Sequence, residues 1–130
     1  MRQLTDDHRP EDGDERTRVL AAGGWFSGDP PRVNGVLSPT RALGDFAFKP
    51  AVSCLADCRT WPRPVFVVIA CDGIWDVMTN ERAVAIASKA IRNKEDAARA
   101  VVRQAYALGS TDNMTAVVVH LAAGAAAAAE

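Results

Sequence analysis

Seven consecutive apolar residues, Val65 to Cys71, run into Asp72-Gly73. A short run this rich in β-branched side chains predicts a strand buried on both faces, with a sharp turn at the glycine. Thr115 to Leu121 predicts a second apolar strand. Between the two, Ala83, Val84, Ala87, Ala90 and Ile91 recur at helical spacing, and so do Ala97, Ala98, Val101, Val102 and Ala105. The first helix is expected to start at a cap on Thr79 or Asn80 and the second at Asn93, with Gly109 as its stop. Gly109 to Asn113 then reads as a turn, and the order is strand–helix–helix–strand.

The upstream half is less periodic. Residues 1 to 18 are polar and heavily charged, a surface segment with a short helix through Glu15 to Leu20 that stops at Gly23-Gly24. Trp25 to Pro31 is a Gly- and Pro-rich loop whose Trp25 and Phe26 are either core plugs or a contact surface. Arg32 to Leu37 alternates weakly around Asn34-Gly35, predicting a strand with a turn or bulge. Thr40 to Asp45 suggests one helical turn ended by Gly44. Residues 49 to 64 hold prolines and no clean period, and read as a connector crossing the surface. Ala122 to Ala128 is a low-complexity tail expected to fray. No internal repeat is visible.

Element order has a chemical consequence. If the two strands are antiparallel neighbours joined by the helical hairpin, Asp72 leaving one and Asp112 entering the other lie at the same sheet edge. Asp76, four residues after Asp72, projects to the same side if the chain makes a helical turn there. Oxygen donors gathered at such an edge suit a hard divalent ion, Mg²⁺ or Mn²⁺. Spacing alone equally fits an aspartate that starts a turn and a solvated aspartate at a helix start.

Composition narrows the classes. At 130 residues, 48% hydrophobic and 24% charged, the chain has one domain's worth of ordinary globular sequence. A net charge of −1 gives no support to nucleic-acid or membrane-surface binding. No apolar run approaches the ~20 residues of a membrane span, and the N-terminus lacks the apolar core of a signal peptide. The expected compartment is therefore intracellular, cytoplasm or nucleus, with Cys54, Cys58 and Cys71 reduced. Cys54 and Cys58 have no second Cys/His pair to complete a zinc site. Cys71 reads as a small core residue.

Six segments in order resemble the C-terminal half of the type-2C, metal-dependent protein serine/threonine phosphatases. They are Leu4 to Pro10, Ala21 to Gly24, Arg32 to Leu37, Arg41 to Phe46, Ala70 to Val77 (Ala-Cys-Asp-Gly-Ile-Trp-Asp-Val) and Gly109 to Thr115 (ending Asp-Asn-Met-Thr). From first to last they span nearly all of residues 4 to 121. The resemblance implies an α+β fold, part of an α/β/β/α sandwich with antiparallel sheets flanked by helices. Residues 1–121 would be a partial phosphatase domain with a flap at roughly 23–45, followed by the Ala-rich tail at 122–130. It also implies that Asp72 and Asp112 ligate a first catalytic Mg²⁺ or Mn²⁺, and that Asp7 and Asp76 join Asp72 at a weaker position. Trp25 would belong to the flap beside the substrate channel. Arg41 would bind substrate or, as an alternative of equal standing, form a structural salt bridge.

The activity so implied is hydrolysis of phosphoserine and phosphothreonine proteins by a metal-activated water, without a covalent enzyme intermediate. The family's Asp-Gly-His motif does not occur here: Asp12-Gly13 is followed by Asp14. With that motif goes the bridging ligand, so no catalytic residue is assigned and the chain is expected to be a truncated, inactive segment. Other departures are Ser38-Pro39-Thr40 before Arg41 and Ala56-Asp57 in the connector. Missing strands would leave open sheet edges and uncovered apolar faces, and hence self-association. The alternative is a non-catalytic phosphatase-like module that binds a regulator through the flap near Trp25. No nucleic-acid or membrane partner is expected.

Overall fold

The computed structural model describes residues 1–62 and 64–121; the Ala-rich tail lies outside the described residues. Helices and short antiparallel strands are mixed along the chain, an α+β arrangement. Contacts divide it into two compact units, Thr5–Thr60 and Met1–Leu4 with the chain from Trp61 onward.

The Thr5–Thr60 unit is built on helix α1, Gly13–Ala21. Asp12 caps it, its Oδ1 accepting from the Asp14 and Glu15 backbone N–H groups at 2.9 and 3.4 Å. The helix thus starts two residues ahead of the predicted one, because the cap recruits Gly13 and Asp14. Gly23 ends it in the left-handed region at φ +81°. A β-carbon on Gly24 would meet Ala51 Cβ at 2.7 Å and Val19 Cγ1 at 2.8 Å, so the second glycine serves close packing. Strands β1 (Phe26–Ser27) and β2 (Arg32–Val33) form a small antiparallel hairpin.

The unit's core is Val19, Val33, Ala51 and Val52, with Phe26, Leu37, Ala42 and Phe48 packed around it. Residues 49 to 64 are therefore not wholly a surface connector: Ala51 and Val52 plug this core. Nor is Thr40 to Asp45 a helical turn. Arg41 forms a parallel bridge with Ser53, and Asp45 sits at φ +50°. The single turn of 3-10 helix falls at Phe46–Phe48 instead, where Phe48 reaches the core.

The other unit has strand β3 (Phe66–Ala70), then helices α2 (Asp72–Trp75), α3 (Asn80–Arg92) and α4 (Ala97–Ala107), then strand β4 (Ala116–His120). β3 and β4 are antiparallel, in register from Phe66 opposite His120 to Ala70 opposite Ala116. Phe66, Val68, Ala70, Ala116 and Val118 face a core of Ile74, Met78, Ala83, Ala87, Ala90, Ala97, Val101 and Ala105. Alanines dominate the buried faces of both long helices, so their backbones can approach closely. Fully burying Ile74 contributes on the order of 2 kcal/mol.

Thr79 caps α3 as expected, its Oγ1 accepting from the Arg82 N–H. The cap of α4 is Asp96, not Asn93: its Oδ1 accepts from the Arg99 N–H at 2.9 Å, while Asn93 closes α3. Lys94 turns the chain between them at φ +58°. The prediction that the central strand is buried on both faces also fails. Ile69 and Val117, on the face away from the core, are 57% and 50% exposed, because among the described residues the sheet has two strands and its helices cover one side.

Candidate functional site

The signature Cys71 to Asp76 turns the chain from β3 into α2, and each residue has a physical task there. The Cys71 N–H donates to the Thr115 carbonyl at 3.1 Å, extending the β3–β4 ladder by one rung. Its Sγ accepts from the Thr115 N–H at 3.2 Å and lies 3.1 Å from the Asn113 carbonyl, to which the thiol donates. Cys71 is thus a half-buried bridge to the opposite loop rather than a plain core residue. The Trp75 indole Nε1–H donates to the Ala70 carbonyl at 2.9 Å, closing the turn from the helix side.

Gly73 is required sterically. A β-carbon there would collide with the Asn113 carbonyl and stand 3.4 Å from the Asp112 Cβ. The carbonyl of Gly73 in turn accepts from the buried Ser110 hydroxyl at 2.6 Å. The loop that carries Asp112 therefore packs directly on the residue after Asp72. This is the adjacency the antiparallel order predicts: Asp72 and Asp112 occupy the same end of the β3–β4 sheet. Asp72 Oδ1 accepts from the Gly73 N–H at 3.0 Å, and Asp112 Oδ1 from the Asn113 N–H at 2.7 Å. Both are exposed.

Asp76 closes α2, its N–H donating to the Asp72 carbonyl at 2.8 Å, so the two acids are stacked one helical turn apart. Asp7 belongs to the Thr5–Thr60 unit, where its carboxylate pairs with Arg9 at 3.2 Å. Among the described residues no three His, Cys, Asp or Glu side chains converge closely enough to cage a metal ion. Two exposed carboxylates at one sheet end do fit a hydrated divalent cation, which takes one or two carboxylates and keeps several waters.

The second cluster is in the Thr5–Thr60 unit and centres on Glu15, only 3% exposed. Arg41 donates to Glu15 Oε1 from Nε at 3.0 Å and from Nη2, and to Asp57 Oδ1 and the Leu55 carbonyl from Nη1 at 2.8 and 3.0 Å. Arg18 donates to Glu15 Oε2 at 2.8 Å and to the carbonyls of Thr40 and Ala51. The Thr40 hydroxyl donates to the same oxygen, Oε2. Asp57 also meets His8 Nε2 at 3.0 Å.

The Arg41 guanidinium, with burial opposing it and Arg18 and Thr40 adding to it, holds the Glu15 carboxyl far below the usual carboxylate range. Glu15 and Asp57 raise Arg41. His8 and then Arg41 lower Asp57. Every group is satisfied, and the ion-pair alternative for Arg41 describes this arrangement.

Trp25 is 52% exposed. Its N–H donates to Asn34 Oδ1 at 3.1 Å, and its ring edge lies about where a β-carbon on Gly35 would touch it, 3.1 Å away. Gly35, at φ +72°, leaves room for the indole beside the hairpin tip.

Sequence reasoning missed Gly73, Ser110 and Glu15 as the groups that hold these clusters. Gly73 and Ser110 stand inside the motif segments, but their mutual contact spans 37 residues. Glu15 is one acid in a charged helix, and no local signal separates it from its solvated neighbours.

The family model described as protein phosphatase 2C matches residues 1–114. The chain is 42% identical over 121 residues to "Probable protein phosphatase 2C 11" of Arabidopsis thaliana, covering 89% of this chain and 32% of that protein. It is 40% identical over 123 residues to "Probable protein phosphatase 2C 44" of Oryza sativa, covering 90% and 38%. Among solved structures, one described as a C. elegans sex determining protein superposes with TM-score 0.82 at 35% identity, covering 90% of this chain and 31% of that one. A Toxoplasma gondii phosphatase superposes with TM-score 0.80 at 29% identity, covering 92% and 41%. The chain thus spans roughly a third of the length of the curated relatives it matches.

Proposed function

We propose that this chain, which belongs to the protein phosphatase 2C family, is the segment of a protein serine/threonine phosphatase that supplies Asp72 and Asp112 to a divalent-metal site. The observation that carries the reading is the antiparallel β3–β4 register, which brings both acids to one sheet end. Asp72 and Asp112 would hold the cation, Mg²⁺ or Mn²⁺, and Asp76, one turn on, would bind waters of a neighbouring, weaker position. When bound, the cation supplies charge neutralisation for phosphoryl oxygens and acidifies water. The chain's own residues orient this: Trp75 and Cys71 fix the turn, and Ser110 locks the Asp112 loop against it.

The substrates are phosphoserine and phosphothreonine proteins, and the compartment is the cytoplasm or nucleus, where three free cysteines are at home. With two carboxylates in place of a full ligand set, and with no Asp-Gly-His, the isolated chain is inactive. Its uncovered face around Ile69 and Val117 favours self-association. The test is Mn²⁺-dependent turnover of a phosphothreonine peptide by the purified chain. Turnover abolished by Asp72→Asn would support the metal reading and overturn the inactivity.

A second reading, a non-catalytic binding module, is favoured by the exposed indole of Trp25 beside the hairpin tip. Surface tryptophans are among the side chains that anchor protein contacts. That reading requires no turnover, even at high Mn²⁺, and saturable binding of a regulator that Trp25→Ala weakens.

A further inference from the structure

The outer surface of the α3–α4 pair is cationic in a way that helix stability does not explain. Arg82, Lys89 and Arg92 recur along α3 within one stripe opposite the buried Ala83, Ala87 and Ala90. Arg99 and Arg103 stand on the exposed side of α4, opposite Ala97, Val101 and Ala105, with Tyr106 one turn further and 72% exposed. All five cations are exposed, and none forms an ion pair with another described residue. Arg92 donates to the Ser88 hydroxyl at 2.7 Å, and the rest make no side-chain hydrogen bond to a described residue. The acids of this pair lie at its ends: Glu81 in the first turn of α3, and Glu95 and Asp96 in the connection.

Lys89 and Arg92 sit in the last turn of α3, where the helix dipole favours them. Arg82 and Arg99 do not benefit in this way. Each is the third residue of its helix, and its own N–H is the one taken by the cap. A cation at that position opposes the positive end of the dipole and costs stability. Two unpaired arginines at unfavourable positions, on a chain of net charge −1, are a segregation of charge that an external partner would use.

We propose that this face docks an acidic polypeptide segment of a phosphoprotein. The proposal rests on the phosphatase reading only for the partner being a phosphoprotein. Rise per residue places Arg82 and Arg92 ~15 Å apart along α3, with α4 ~9 Å to the side. That footprint matches an extended peptide of about five residues at ~3.3 Å each. Four of the five cations are arginines, whose planar fork suits carboxylate and phosphate oxygens. Between them the surface offers Ala85 and the Tyr106 ring but no protruding aliphatic cluster, which disfavours insertion into a bilayer.

The test uses the full chain and a fluorescein-labelled peptide of alternating glutamate and glycine that carries no phosphate, read by anisotropy at low salt. The expected result is saturable binding that weakens with added salt. K89Q/R99Q/R103Q should weaken it about tenfold. R9Q/R32Q/R59Q, which removes the same charge from the other unit, should weaken it less than about twofold. Both variants should melt with the unsubstituted chain; should the triple variant not, R99Q and R103Q singly carry the comparison. Equal loss in the two triple variants, no binding to the peptide, or binding to phosphatidylserine vesicles in preference to it would each overturn the proposal. Because the peptide has no ester to hydrolyse, failure of the phosphatase reading leaves this outcome untouched.

Discussion

The Ser110 hydroxyl donates to the Gly73 carbonyl at 2.6 Å, tying the loop that ends in Asp112 to the turn that begins with Asp72. Both partners are buried, and the contact spans 37 residues of sequence. The two carboxylates are thereby positioned by buried, uncharged groups beneath them. Ser110→Ala should cost about 1–2 kcal/mol of stability, since it strands a buried carbonyl. It should also weaken Mn²⁺ binding while leaving both aspartates in place. Denaturant titration and calorimetry on the same variant read both effects, and an unchanged metal affinity would reduce Ser110 to a stability role.

Gly73→Ala places a methyl group against the Asn113 backbone carbonyl, which cannot rotate away as a side chain would. The turn and the facing loop must then separate. We expect a loss of about 2–3 kcal/mol by thermal melting, larger than that from Ala substitution at Gly13, whose β-carbon would meet nothing within 4 Å. Equal melting of the two variants would contradict the contact.

Glu15 makes acid stability a test of the second cluster. Its carboxyl is held far below the usual carboxylate range, chiefly by Arg41. A depressed carboxylate contributes stability that is fully present above the unfolded value and is lost as pH falls toward the folded one. The melting temperature should therefore drop as pH goes from about 5 toward 2. Glu15→Gln should flatten that limb and lower stability at neutral pH by about 3 kcal/mol, because Arg41 and Arg18 lose their shared partner. Asp57, also lowered, adds in the same direction. A Glu15→Gln chain with an unchanged acid limb would assign the drop elsewhere.

The elements of the α3–α4 half were legible because their patterns are local. Alanine and valine at helical spacing set two helices, and the apolar runs ending at Cys71 and beginning at Thr115 set two strands, whose order then dictated the Asp72–Asp112 adjacency. The upstream half is less legible, since its core depends on contacts between distant residues. Ala51 and Val52 lie in a stretch that looks like a connector until Val19 and Val33 are seen against them. Arg41 was drawn out of a predicted helical turn by Ser53 and Glu15, neither of which is near it in sequence. Asn93 looked like a cap because Asn is a good one, and Asp96 outcompeted it through a direct bond to the Arg99 N–H. The exposed face of β3 was hidden from pattern reading, because an apolar run does not reveal how many strands or layers will cover it.

Calorimetric titration of the purified chain with Mn²⁺ bears most directly on the central claim that Asp72 and Asp112 share a cation. The expected result is one enthalpic binding event, weakened at least about tenfold by Asp72→Asn and to a similar degree by Asp112→Asn, with the double variant little worse than either. An Asp112→Asn chain that titrates like the unsubstituted protein, or an unsubstituted protein that takes up no Mn²⁺, would contradict it.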